Sequence, residues 1–443
     1  MSSCNAHRTI DAVWRIESAR LIAGLARIVR DVGLAEELAQ DALVTALEQW
    51  PEQGVPENPG AWLMATAKHR AIDRLRRCRL IERKHEMLSH EIEMGQPHAT
   101  AIESALDDDV GDDLLRLIFT ACHPVLSAEA RAALTLRLLG GLTSDEIARA
   151  FLVPEPTIAQ RIVRAKRTLA EAHVPFELPH GDERKARLSS VLEVIYLIFN
   201  EGYSATAGED WMRPALCEDA LRLGRILAEL VPQEAEVHGL VALMEMHAAR
   251  SAARAGAGGE PILMLDQNRA LWNPVLIRRG LEALERAARL GGAFGSYALQ
   301  AAIVACHVQA TTAEQTDWVR IAALYDALGV LTPSPIVELN RAVAVAMAFG
   351  PAAGLEIVDG LTSERSLEAY HLLPAVRGDL LARLGRVTEA RMEFEHAASL
   401  TRNARERSMM LGRAATLTAQ VPGTPTEHSE AERDEKHGRT RAP

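Results

Sequence analysis

The stretch GLTSDEIARAFLVPEPTIAQRIVRAKRTL, residues 141–169, decides the fold. Thr143 followed by Glu146 is a capping box, so a helix begins there. Ile147 and Phe151 supply its inner side, and VPEP breaks it. Pro156 suits the first turn of a second helix, where a missing N–H is harmless. Ile158, Ile162, Ala165 and Leu169 then recur at intervals of 4, 3 and 4 residues and mark an apolar stripe. Thr157, Gln160, Arg161, Arg164 and Arg167 fall on the outer side, and no acid occurs between Thr157 and Ala170. Two short helices about a tight turn, the second one basic, read as a helix-turn-helix.

Upstream, PEQGVPENPG (51–60) is a loop by its Pro and Gly content, and a helix starts at Pro59. In AWLMATAKHRAIDRLRRCRL (61–80), Trp62, Leu63, Ala67, Ala71, Ile72 and Leu75 form the apolar stripe. Lys68, His69, Arg70, Asp73, Arg74, Arg76 and Arg77 take the remaining faces. Lys68–His85 holds eight Lys/Arg against two acids, which suits phosphate contact. Before the loop, LAEELAQDALVTALEQW (34–50) is an amphipathic helix carrying Glu36, Glu37, Gln40, Asp41 and Glu48. An acidic helix does not favour DNA; it either docks a basic protein partner or packs as a plain bundle helix.

Charge is segregated along the chain. The net charge is −11, yet residues 86–113 contain nine acids and no Lys or Arg, and the rest of 1–170 sums to +6. Residues 171–443 sum to −8. Two basic blocks therefore flank an acidic connector, a layout that solubility alone does not require.

The 443 residues suggest several domains. Aromatics are 4% while Ala, Leu and Arg recur, and no alternating β-branched run stands out, so an all-α fold is expected. No apolar run is long enough to span a membrane, no secretory signal is visible, and the five cysteines are scattered without a CxxC. Membrane, secreted and disulfide-scaffold classes are excluded on this reading, and a cytoplasmic protein is expected.

Residues 185–420 read as Ala/Leu-rich helices. Near the end, AVAVAMAFGPAAGLEIVDGL and GDLLARLGRVTEARMEFEHA repeat with an offset of 35, with Gly350 on Gly385 and Leu355 on Ala390. A helix pair about a central Gly at this period suggests tetratricopeptide (TPR) repeats. Residues 421–443 are polar and are expected to be disordered.

No catalytic constellation is evident. His85-Glu86-Met87 lacks the second His of a zincin, and no phosphate-binding glycine loop or nucleophile elbow occurs. Cys122-His123 reads as a core cysteine beside a helix-terminal His. Asn200–Tyr203 and Asp266–Arg269 (in PILMLDQNRALWNP) are polar stretches better explained by structure than by chemistry. No metal or cofactor is implied.

The chain resembles the extracytoplasmic-function (ECF) sigma factors of bacterial RNA polymerase. Residues 17–80 look like sigma region 2 and 114–170 like region 4. LRLIFTACHPVLSAEARAALTLRLLGGLTSDEIARAFLVPEPTIAQRIVRAKRTL (115–169) is similar to a subgroup with a long TPR-containing extension. So are YLIFNEGYSAT, YALQAAIVACH, PSPIVELNRAVAVAMAFGPAAGL and YHLLPAVRGDLLARLG. The resemblance implies a region 2 domain (1–85), an acidic linker (86–113), a region 4 helix-turn-helix (114–172), a TPR-like domain (185–420) and a tail (421–443).

It also implies roles. Glu37, Leu38, Gln40 and Asp41 would meet core RNA polymerase. The helix with Lys68, His69, Arg70, Asp73 and Arg74 would open and read the −10 element, where many relatives carry Asn in place of His69. Glu155, Thr157, Gln160, Arg161 and Arg164 would read the −35 element, with Arg76, Arg77 and Arg167 on DNA beside these readers. The linker would run through the polymerase near the RNA exit path. The extension would regulate, in cis or through a protein partner. The expected function is non-enzymatic: binding core polymerase and promoter DNA to start transcription. An operator-binding regulator acting without polymerase and a TPR scaffold are the alternatives.

Overall fold

In a computed structural model, described over residues 3–88 and 110–420 except 152, 206, 210 and 257, the chain is built from α-helices. Eighteen of them occur among the described residues. The chain divides into two compact units, Met1–Asp317 and Trp318–Pro443. Most of the expected connector (89–109) and the tail (421–443) lie outside the described residues.

The first unit opens with α1 (Ser3–Val29), α2 (Val32–Gln53) and α3 (Pro59–Leu88). Asp31 caps α2 by accepting from the Leu34 N–H at 2.8 Å. The helix runs past the expected stop at Trp50-Pro51, carries Pro51 inside its last turn, and ends where Gly54 takes φ 90°. That left-handed value is open to glycine and strained for other residues. Asn58 caps α3 through the Ala61 N–H at 3.1 Å. Leu21, Leu25, Leu38, Ala42, Leu63, Ala67 and Ala71 interlock as the core of these three helices. Trp50 and Trp62 close one end edge to face, 5.3 Å apart.

Next come α4 (Val110–Ala121), α5 (Ala128–Leu138), α6 (Ser144–Phe151) and α7 (Glu155–Glu171). The capping box forms as expected: Thr143 N–H donates to Glu146 Oε2 at 2.8 Å, and Glu146 N–H donates to Thr143 Oγ1 at 3.1 Å. Cys122 is buried, 3.3 Å from Thr135 Oγ1, and burial pushes its thiol up to about 11.

The unit continues with α8 (Gly181–Tyr203), α9 (Pro214–Leu230), α10 (Ala235–Ala248), α11 (Pro274–Arg289) and α12 (Ser296–Gln309). One apolar core runs without a break from Ile10 to Met244. The expected boundary between residues 172 and 185 is therefore no seam in the packing. Helix α8 is sewn onto α4 and α5: Ser190 Oγ donates to the Cys122 carbonyl at 2.7 Å, and Arg187 donates to the Phe119 carbonyl at 3.0 Å. Arg131 of α5 reaches back to Ser190 and, at 3.0 Å, to Glu193. Gly202 sits where an added Cβ would lie 2.7 Å from the Cys217 backbone nitrogen, so α8 and α9 meet here only through glycine.

The second unit holds α13 (Trp318–Leu331), α14 (Pro335–Phe349), α15 (Pro351–Leu361), α16 (Leu372–Arg383), α17 (Val387–Leu400) and α18 (Ala404–Gln420). The turn of each hairpin, α14–α15 and α16–α17, is a glycine at positive φ: Gly350 at 104° and Gly385 at 76°. The offset of 35 seen in the sequence thus corresponds to two helical hairpins. Leu355 and its counterpart Ala390 both face the unit's core, with Leu339, Val358, Leu381 and Phe394.

Candidate nucleic-acid and polymerase interface

Helix α7 buries Ile158, Ile162, Ala165 and Leu169, the spaced stripe, and this fixes which residues look outward. Glu155, Thr157, Gln160, Arg164 and Arg167 are exposed, while Arg161 is half-buried. Arg161 lies near Glu129, whose carboxyl is held below its usual range first by its own backbone N–H, then by Ser127, with Arg161 contributing. Val163, 63% exposed, shares the face of Gln160 and Arg164. An exposed apolar side chain among donors suits a thymine methyl, and Val163 lies off the buried stripe that spacing marks.

On α3, His69, Arg70, Asp73, Arg74, Arg76 and Arg77 are exposed and Lys68 is half-buried. Arg70 is already engaged, 3.4 Å from Asp41 and donating to Thr45 Oγ1 at 2.7 Å. A residue expected on DNA and one expected on polymerase therefore hold each other.

On α2, Glu37 and Asp41 are exposed and Gln40 is half-buried, donating to Glu36 at 2.5 Å. Leu38 departs from expectation: it is 3% exposed and packs in the core, because it falls on the same stripe as Ala35 and Ala42. Its side chain is not part of the outer surface.

Glu36, not assigned to the site beforehand, is the residue that joins these parts. Its carboxylate takes Arg137 at 2.6 Å and Lys166 of α7. Arg15 to Glu146 (2.8 Å) and Arg27 to Asp113 (3.0 Å) add two more links from α1 to the later helices. Burial works to raise the Glu146 carboxyl, but bonds from Thr143 and Arg15 hold it below the usual range. Nothing local marks Glu36 as a docking residue, since its partners lie 101 and 130 positions away.

Comparison with known proteins agrees with this geometry. Residues 16–80 match Sigma-70 region 2. Residues 116–169 match Sigma-70, region 4. Residues 187–288 match a family of unknown function, DUF6596. An uncharacterized protein of Rhizobium meliloti (strain 1021) is 43% identical over 387 residues, 87% of this chain and 90% of that protein. The ECF RNA polymerase sigma factor SigK of Mycobacterium tuberculosis is 27% identical over 34% of this chain and 78% of its own length. The probable RNA polymerase sigma-C factor of Mycobacterium bovis is 29% identical over 33% and 75%. Region 2 and region 4 on one helical chain are the architecture of an ECF-type sigma factor. The chain belongs to the same family as the Rhizobium meliloti protein, whose similarity extends well beyond the sigma regions.

No helix among the described residues is long and apolar enough to cross a membrane.

Proposed function

We propose that this protein binds core RNA polymerase through the α2 side of region 2 and directs it to promoters. In this reading α3 acts at the −10 element and α7 at the −35 element, and the polymerase supplies all catalysis. The observation that carries it is the outer face of α7: exposed Thr157, Gln160, Arg164 and Arg167, with no acid between Glu155 and Glu171, mounted on a capped helix-turn-helix. Glu37, Gln40 and Asp41 are the polymerase contacts, with Leu38 supporting them from inside.

The region beyond residue 180 is the regulatory part, acting in cis, with the hairpins of α14–α17 as TPR-like repeats open to a protein partner. Two observations support control in cis. The extension shares its core with region 4 through Ser190, Arg187 and Arg131. Region 2 and region 4 are also drawn together by Glu36. Promoter elements roughly 25 base pairs apart lie about 85 Å apart along a duplex. Heads in salt-bridge contact must separate to reach both, so this arrangement is the resting state. The work takes place in the cytoplasm, with promoter DNA.

Run-off transcription with purified core polymerase and the full chain tests the reading. Specific transcripts that depend on the chain support it. Promoter binding without polymerase association would instead assign an operator-binding regulator, and association with neither would leave a scaffold.

A further inference from the structure

The two polar stretches with no role in promoter recognition, Asn200–Tyr203 and Asp266–Arg269, converge inside the first unit. They meet around two arginines that follow α10. Arg254 lies flat on Tyr203, its guanidinium carbon 3.3 Å from the ring centre, with Trp211 at 4.3 Å. Arg250 donates to the Tyr203 hydroxyl and lies 5.9 Å from the Trp272 ring. Arg269 covers Trp272 at 4.5 Å and is tied to the His307 and Ala310 carbonyls at 2.6 and 2.8 Å.

The charge balance here is unusual for the molecule. Elsewhere in the unit, buried Arg131 and Arg187 have acids, Glu193 and Glu183, and half-buried Arg213 has Glu201. Arg250 and Arg254 are each 5% exposed, and among the described residues no carboxylate lies within ion-pair distance of either or of Arg269. Arg250 Nε and Nη1 are fully buried without an acceptor, and Trp272 Nε1 and Trp211 Nε1 are donors in the same condition. Burial and then the Arg250 charge press the His247 and His307 imidazoles well down, His307 to about 4, so neither adds charge near neutrality. Arg254 spends an N–H on the Tyr203 carbonyl, whereas Arg250 keeps two buried N–H groups unspent. A buried cation in that condition calls for something that returns the lost solvation.

We infer that the extension holds a small-molecule binding site for an oxyanion, a carboxylate or phosphate group, received by Arg250, Arg254 and Arg269. The ring faces of Tyr203 and Trp272 are taken up by guanidinium groups, so the recognised feature is the anion. Arginine forks and indole N–H groups supply the donors, and Glu314, which lies near Arg269 beyond ion-pair distance, is the acid that an anion would have to outweigh. The segment that carries Arg254, Arg269 and Trp272 includes three single-turn 3₁₀ segments, Ser251–Ala253, Met264–Asp266 and Arg269–Leu271. They are pinned by the Ile262 N–H to the Arg254 carbonyl at 2.8 Å and by the Asn273 N–H to the Ala249 carbonyl at 2.8 Å. Arg250 and Arg254 are each 5% exposed, so a ligand reaches them only when this segment shifts, which links occupancy to the conformation of the extension.

The test uses the full chain, with inorganic phosphate and succinate as separate probes against potassium chloride of equal ionic strength. Melting temperature and tryptophan fluorescence, to which Trp211 and Trp272 contribute two of six residues, are read together. Either probe is expected to give a saturable rise in Tm of about 2–5 °C beyond the chloride control, with a fluorescence change of the same midpoint. The probe that responds identifies the group. Arg250→Met keeps the bulk and removes the charge; it is expected to abolish the probe effect while the probe-free protein melts no lower than wild type. No saturable shift with either probe, or equal shifts in Arg250→Met, overturns the site. A variant that melts far below wild type without probe also overturns it, because the charge would then be structural.

Discussion

The Glu36 carboxylate on α2 is 3% exposed and is clasped by Lys166 near the end of α7. It links the helix proposed to meet polymerase to the helix proposed to read the −35 element. Arg137 adds a second cation at 2.6 Å.

Glu36→Gln removes the charge and keeps the shape. The two cations are 22% exposed and regain water, so the loss of stability is about 1–3 kcal/mol. If the contact holds the heads closed, run-off transcription at limiting protein rises about 5-fold for each kcal/mol released. Unchanged or reduced transcription by a folded variant would show that the contact does not restrain activity.

Arg161→Ala and Arg76→Ala separate reading from holding. A base-reading Arg161 costs about 1–3 kcal/mol at one promoter position and relaxes preference there. A phosphate-holding Arg76 weakens binding to all sequences and lowers the salt slope by about 1. Binding to a panel of single-substitution promoters at two or more salt concentrations distinguishes them. Uniform losses for Arg161→Ala would reassign it to the backbone.

Gly202→Ala places a methyl group 2.7 Å from the Cys217 nitrogen and 2.9 Å from the Arg213 carbonyl. Both obstacles are backbone, so α8 and α9 must part. A loss of about 1–3 kcal/mol in urea unfolding is expected, whereas exposed Gly412, with open space around it, tolerates alanine.

Acid sensitivity follows from His307. Burial, with Arg250 and Arg269 beside it, pushes the ring down to about 4, whereas the unfolded chain protonates it near 6.5. Between these values the unfolded state binds the extra proton. The contribution is therefore intact above pH 6.5 and declines as pH falls toward 4, by up to about 3 kcal/mol. Urea midpoints measured at pH 7.5, 6 and 5 should fall in wild type and fall less in His307→Gln. Parallel curves would rule out this residue as the source.

Thiol chemistry gives a further check. Burial raises Cys122 to about 11 and Cys217 to about 12. Neither is expected to react with iodoacetamide at pH 8 in the folded chain, and both should react in urea. Rapid native labelling of either would contradict the packing around α4 or α8.

Short-range patterns carried the helix-turn-helix. The Thr143–Glu146 box, Pro156 and the stripe from Ile158 to Leu169 all act within a few turns, so spacing alone fixes them. The Gly350–Gly385 offset was legible for the same reason. Leu38 enters the polymerase set through the family resemblance, whereas its place on the apolar stripe with Ala35 and Ala42 turns it inward. Glu36 and Lys166, Arg131 and Ser190, and Tyr203 and Arg250 meet across 130, 59 and 47 positions. Such encounters depend on how helices pack, which no local period encodes.

The stitching of Ser190 and Arg187 onto the carbonyls of Cys122 and Phe119 also bears on descent. A gene shortened just past α7 would encode a head with a bare apolar flank and orphaned carbonyls. Loss of the rear portion by a single deletion is therefore a poor route to a smaller working protein. A shortened chain would need matching replacements along α4 and α5 to cover that flank.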